Sequence, residues 1–201
     1  MRCSRGLVGL FVGVGGILFL VGCNGPVAAP TSFASYKSKE GAFKCDYPQG
    51  WEFKGGGKGN FQYMRAQSGS ALIRVETDVA GSLIGDIVKS ANQIGGGNNG
   101  EPEDKELAPV AQVHQLYKRQ MEDNYSGYQE QPVEVLTTGL GDSRRSEFTA
   151  AGSFGGKLRG CRVTALTRDL RVGVICECAD SDWNTLKPAF EKVIASLSRG
   201  E

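Results

Sequence analysis

The chain has 201 residues, with 23 Lys+Arg against 22 Asp+Glu, 40% hydrophobic residues, 8% aromatic residues and 29 glycines. The near-neutral balance excludes the basic surface of a nucleic-acid binder, and the aromatic content excludes a disordered, solvating chain. Glycine is the outlier, about 14% against a usual share of about 7%.

Arg2 and Arg5 precede an uncharged apolar run from Leu7 to Leu20. A positive start followed by an apolar segment of this length is the secretory-signal pattern, and the run is too short and glycine-broken for a membrane span. Leu20-Val21-Gly22-Cys23 resembles the bacterial lipobox. The resemblance implies cleavage before Cys23, a diacylglycerol thioether on its sulfur and an acylated new N-terminus. Small residues let the scissile backbone enter a narrow protease site, and only a thiol can carry the thioether. The competing reading is a plain signal peptide or N-terminal anchor in which Cys23 is incidental. Two or three acyl chains hold a protein at a membrane where one is marginal, so the resemblance places the chain in a bacterial cell envelope, facing the periplasm or the exterior. Removing residues 1–22 takes two arginines, leaving 21 basic against 22 acidic groups and a mature charge of −1.

Residues 23–35, rich in Pro, Ala and Ser, read as an extended tether, and residues 36–201 as one globular domain. Phe43, Cys45 and Tyr47 alternate with polar residues as in a half-buried strand, and Pro48-Gln49-Gly50 supplies a turn. Strands follow at Phe61–Ala66 and Leu72–Asp78. Ser82 is positioned to cap a helix through about Gln93, ended by Gly95-Gly96-Gly97. A second helix is predicted over Pro109–Asn124, where proline suits the first turn. Strands at Val133–Thr138, Arg144–Ala150, Leu158–Arg168 and Arg171–Cys178 precede a closing helix over Asp182–Ser198. The class is therefore α+β, with a largely antiparallel central sheet and helices on its faces. Pairing Thr167 with Val172 sets Val163 opposite Cys176 and Cys161 opposite Cys178, with one face apolar throughout; a one-residue slip mixes the faces.

Tyr47-Pro48-Gln49-Gly50-Trp51, the order of elements and the ending Phe190-Glu191-Lys192-Val193-Ile194-Ala195-Ser196-Leu197 together resemble the PsbP-like family, over most of residues 33–199. The founding member is an extrinsic protein of photosystem II, and many bacterial members are envelope lipoproteins. The resemblance implies an α/β/α sandwich around an antiparallel sheet. No catalytic residues define the family, so it implies none here.

The lipobox resemblance implies that Cys3 leaves with the signal and that Cys23 is lipidated, so Cys45, Cys161, Cys176 and Cys178 would remain. In an oxidising compartment the expected register favours a Cys161–Cys178 disulfide, with Cys45–Cys176 as a second. Four reduced core thiols are the alternative; a four-thiolate zinc site is disfavoured, because only one C-x-C occurs and no C-x-x-C. Gly95–Gly100 matches G-x-G-x-x-G in letters, but a helix precedes it and acidic residues follow, the reverse of a dinucleotide site. Lys54-Gly55-Gly56-Gly57-Lys58-Gly59-Asn60 lacks the phosphate-loop spacing and reads as a flexible hairpin loop, with anion binding by free amides as the alternative. His114 is the only histidine, which excludes multi-histidine metal sites; it falls with Val110, Val113 and Tyr117 on a helical stripe, as a packed histidine does. There is no G-x-S-x-G elbow. Asn124-Tyr125-Ser126 fits a glycosylation sequon that means little in a bacterium.

No pattern requires a cofactor, a metal or nucleic acid, and no catalytic residue is assigned. The expected role is a non-catalytic interaction or assembly module, held to the membrane by its lipid and engaging a protein partner. The competing class is a ligand-binding or hydrolytic domain with a pocket near the glycine-rich stretches.

Overall fold

A computed structural model describes residues 27–79, 108–152, 155–167 and 170–200. The lipobox with Cys23, the helix expected at 82–93 and the glycine run at 95–100 lie outside the described residues. The strands are β1 (Phe33–Lys37), β2 (Lys44–Pro48), β3 (Glu52–Lys58), β4 (Phe61–Ser68) and β5 (Ala71–Val79). After α1 (Pro109–Asn124) come β6 (Gln129–Glu130), β7 (Glu134–Thr138), β8 (Gly141–Ala151), β9 (Lys157–Leu166) and β10 (Leu170–Ala179). A 3-10 turn over Asp180–Asp182 leads into α2 (Trp183–Ala195).

β1 and β2 form a two-stranded ribbon; the other strands form one sheet in the order β3-β4-β5-β10-β9-β8-β6, with β7 also on β8. Every pairing between the named strands is antiparallel. Alternation along the strands divides the sheet into two unlike faces. Met64, Ala66, Ile73, Val75, Val163, Ala165, Val172 and Val174 point to one face and are fully buried. There they meet α2 and the β1–β2 ribbon. Trp183, Leu186, Phe190, Val193, Ile194 and Leu197 repeat at helical spacing, and all are at most 2% exposed. Each contributes about 1.5–3 kcal/mol of transfer free energy. Arg159 and Lys187 lie over the Trp183 ring, at 5.0 and 5.8 Å from its centroid, and Glu147 joins both through hydrogen bonds of 3.0 and 2.6 Å. Burial pushes the Glu147 carboxyl up, but those bonds outweigh it and hold the group below the usual carboxylate range. The opposite face is covered by α1, which completes three layers.

Differences from the sequence reading have local causes. β1 begins at Phe33, inside the stretch expected to be tether, because residues 33–37 pair with β2. The glycines of the 54–60 segment lie mostly within β3 rather than in a loop: Gly55, Gly56 and Gly57 pair with Met64, Tyr63 and Gln62. The Tyr36 ring packs on Gly55 so closely that a Cβ there would sit 2.7 Å from it. The β9–β10 hairpin is also tighter than expected. Thr167 N–H donates to Leu170 C=O across two intervening residues, so Val172 pairs with Ala165 and Val174 with Val163. That is a slip of two residues, which preserves the faces while changing every partner.

Residues 197–200 lie between parts of the chain far apart in sequence. Ser198 exchanges N–H···O bonds of 2.8 and 2.9 Å with Lys44 at the edge of β2, Gly139 N–H donates to Leu197 C=O, and Gly200 N–H donates to Gly41 C=O.

Candidate functional site

The face of the sheet beneath α1 is polar. β5 supplies Arg74, Glu76 and Asp78; β8 supplies Arg144, Ser146 and Phe148; β9 supplies Arg162 and Thr164; and β10 supplies Arg171, Gly173, Ile175 and Glu177. Register makes them neighbours: Gly173 lies between Glu76 and Thr164, and Ile175 between Arg74 and Arg162. α1 buries Val110, Ala111, Val113, His114 and Met121 on this layer.

His114 is the centre of the layer and fully buried. Its Nδ1 lies 2.9 Å from Thr164 Oγ1 and its Nε2 lies 2.6 Å from Ser146 Oγ. Glu130 Oε1 lies 3.7 Å from Nε2, beyond hydrogen-bond range, and that oxygen is taken by Arg162 Nε at 2.8 Å. Arg162 also donates to the His114 carbonyl at 2.8 Å. Burial, then the charges of Arg162, Arg144 and Arg171, push the imidazole pKa down to about 3. His114 is therefore neutral, and its hydroxyl partners serve as donor and acceptor without a proton being gained.

Arg171 is 6% exposed and lies over the Tyr117 ring, 3.5 Å from its centroid. Asp78 receives its Nε and Nη2, the latter at 2.7 Å, and the Tyr117 hydroxyl at 2.8 Å. A Cβ on Gly173 would come within 2.4 Å of Arg171 Nη1, so glycine is what lets this guanidinium lie flat along β10. Further along, Tyr125 donates to Glu177, whose carboxyl is pushed up by burial against the lowering effect of that bond. A cavity of about 180 Å³ opens between α1 and this layer, walled by Arg74, Glu76, Tyr117, Gln120, Arg162 and Arg171.

The architecture can be compared with known proteins. No family model matches the chain, and no curated protein matches it. The solution structure of cyanobacterial PsbP (CyanoP) from Synechocystis sp. PCC 6803 superposes with a TM-score of 0.55 at 14% identity, covering 96% of this chain and 98% of that one. The fold is PsbP-like. A protein of unknown function from Pseudomonas aeruginosa aligns at TM-score 0.46 and 13% identity, covering 82% of this chain and 94% of that one. LpqN of Mycobacterium tuberculosis, involved in cell envelope biogenesis, aligns at 0.44 and 11%, covering 88% and 90%.

The PsbP-like sheet places Cys161, Cys176 and Cys178 on its core face, and β2 of the ribbon places Cys45 in the same core. Cys161 stands opposite Cys176, and Cys178 opposite Arg159, so the expected Cys161–Cys178 pairing is not formed; the two-residue turn closure moved the register. Cys45, Cys161, Cys176 and Cys178 are all free thiols and all buried. Burial pushes the Cys45 and Cys178 thiols up to about 12, and Cys176 well above its ordinary value. Neither the Cys161–Cys178 nor the Cys45–Cys176 bridge is present. Among the described residues no group of His, Cys, Asp and Glu is arranged to hold a metal ion.

The anion loop considered at 54–60 does not form, since the amides of Gly55–Gly57 belong to a strand pair and Lys54 pairs with exposed Glu52 at 3.1 Å. His114 is packed as the helical stripe implied. Sequence reasoning missed the arginine layer around it, although part of its signal was present: Arg162 and Thr164 alternate with Val163 and Ala165, and Arg74 and Glu76 with Ile73 and Val75, in predicted strands. Such alternation ordinarily marks a solvated face, and only α1 makes it an interior.

Proposed function

We propose that this protein is a lipid-anchored component of a bacterial cell envelope, held through Cys23, whose PsbP-like domain acts as a non-catalytic interaction or assembly module. The observation that carries the reading is the state of His114. Ser146 and His114 stand at the distance of a nucleophile and its base, the most catalytic-looking contact among the described residues. A general base must take up a proton near the working pH and meet substrate. Here the imidazole is fully buried, its pKa is depressed by burial and three arginines, and its second nitrogen bonds a threonine hydroxyl rather than a carboxylate. The arrangement supports a role in fixing α1 to the sheet. The lipobox motif and the uncharged stretch after Cys23 support the anchor.

Both halves of the proposal have a direct test. Wild type and Cys23→Ala are expressed in a bacterial host with an alkyne fatty acid and partitioned in Triton X-114. Label and detergent-phase recovery should be confined to wild type; Cys23→Ala protein that remains processed, membrane-bound and unlabelled would overturn the anchor. Photo-crosslinkers at the exposed Phe61 and Val135 should give discrete protein adducts in envelopes. Absence of adducts at both positions would count against the module.

A further inference from the structure

The cavity under α1 contains an arginine donor without a hydrogen-bond partner. Among the described residues, Arg74 Nε is buried without a hydrogen-bond partner; its nearest paired carboxylate oxygen, on Glu76, is 3.6 Å away, too far for a hydrogen bond. Asp78 occupies Nε and Nη2 of Arg171, leaving Nη1 along Gly173, where any side chain would obstruct it. Residue 74 pairs with 175 and residue 76 with 173, so both guanidinium groups belong to one patch of sheet. Both line the same cavity.

A buried donor without an acceptor is costly unless something completes it. Guanidinium groups are completed best by planar oxyanions, whose two oxygens match the fork. Glu76 also lines the cavity, so a dianionic tetrahedral group would meet about twice the repulsion that a singly charged planar one meets at the same distance. The volume of about 180 Å³ equals the share of about six waters at ~30 Å³ each. The rest of the wall is mixed: Gln120 and Asn124 offer amides, while Met121 and Ile175 are apolar.

We propose that this cavity is a binding site for a small organic carboxylate, gripped by Arg74 and Arg171 and covered by α1. A short aliphatic acid fits the volume and the mixed wall. Thr164 lines the cavity and bonds His114 Nδ1, so the only histidine in the chain reports occupancy.

The test uses the mature chain, with imidazole and arginine Nε resonances followed by NMR during titration with acetate, propionate and inorganic phosphate. Acetate or propionate should shift His114 and arginine resonances saturably. Arg74→Gln, whose fold is verified from its unperturbed His114 spectrum, should weaken binding by about tenfold or more, as loss of a charge-assisted hydrogen bond implies. Lys54→Gln, which removes an exposed cation paired with Glu52 on β3, should leave it unchanged. Failure of both acids to saturate at tens of millimolar, or equal weakening by the two substitutions, would overturn the site. Saturation by phosphate alone would overturn the carboxylate assignment.

Discussion

Lowering the pH from 7.5 to 5 should destabilise this domain chiefly through one residue. His114 has a folded-state pKa depressed to about 3, so the unfolded chain binds a proton that the folded chain refuses. Stability from this group is complete above the unfolded value of about 6.5 and is lost progressively as pH falls from there toward the folded value. At pH 5, roughly one and a half units below the unfolded pKa, the loss is about 2 kcal/mol relative to pH 7.5. Glu177, raised by burial, works in the opposite direction, because its contribution is lost as pH rises through its folded pKa; the comparison must therefore cancel it. Urea denaturation of wild type and His114→Gln at both pH values does so. The variant should be less stable at pH 7.5, but its loss on going to pH 5 should be smaller by about 2 kcal/mol. The imidazole should also remain neutral through pH 5 by NMR, an unambiguous reading because the chain has one histidine. Equal pH losses in the two proteins, or an imidazole titrating near 6, would refute both the burial argument and the structural role given to His114.

Two further outcomes follow from close contacts in the sheet. A Cβ on Gly160 would lie 2.6 Å from both the Cys176 carbonyl oxygen and the Phe148 ring, so Gly160→Ala should cost about 1–3 kcal/mol in urea denaturation through overpacking; a neutral result would mean that β8 and β9 can separate there. Native protein should resist a thiol reagent at all four buried cysteines and react at all four in denaturant. Under oxidising refolding, peptide mapping should find any cross-strand link joining Cys161 to Cys176, and a Cys161–Cys178 link would contradict the register.

The parts of the fold legible in the sequence are those where one period decides. α1 was expected over Pro109–Asn124 and spans those residues, because a proline start and a stripe of Val110, Val113, His114 and Tyr117 admit little else. The faces of β9 and β10 were correct while their partners were not: hydrophobic alternation is blind to a slip of two, and only the length of the turn distinguishes the registers. β3 was hidden because three consecutive glycines signal a loop by composition, whereas here they allow the Tyr36 ring to pack against the strand. The arginine layer was hidden because burial of a polar strand face depends on a helix arriving from elsewhere in the chain. The pairing of Arg171 with Asp78 joins positions 93 residues apart, a separation that local pattern does not encode.

The bonds made by residues 197–200 bear on the order of events in making the protein. The ribbon of β1 and β2 is the first paired structure among the described residues, yet one of its edges is completed by Ser198, and its approach loop at Gly41 by Gly200. Contacts of such long sequence separation form late, because the entropy of closing the intervening chain must be met first. Were the chain exported and anchored as proposed, the ribbon would keep an open edge until residues 197–200 had crossed the membrane. On that proposal, acquisition of the anchor and completion of the fold would be separate events, with an interval in which a β edge stays exposed, the kind of surface that escorting proteins cover.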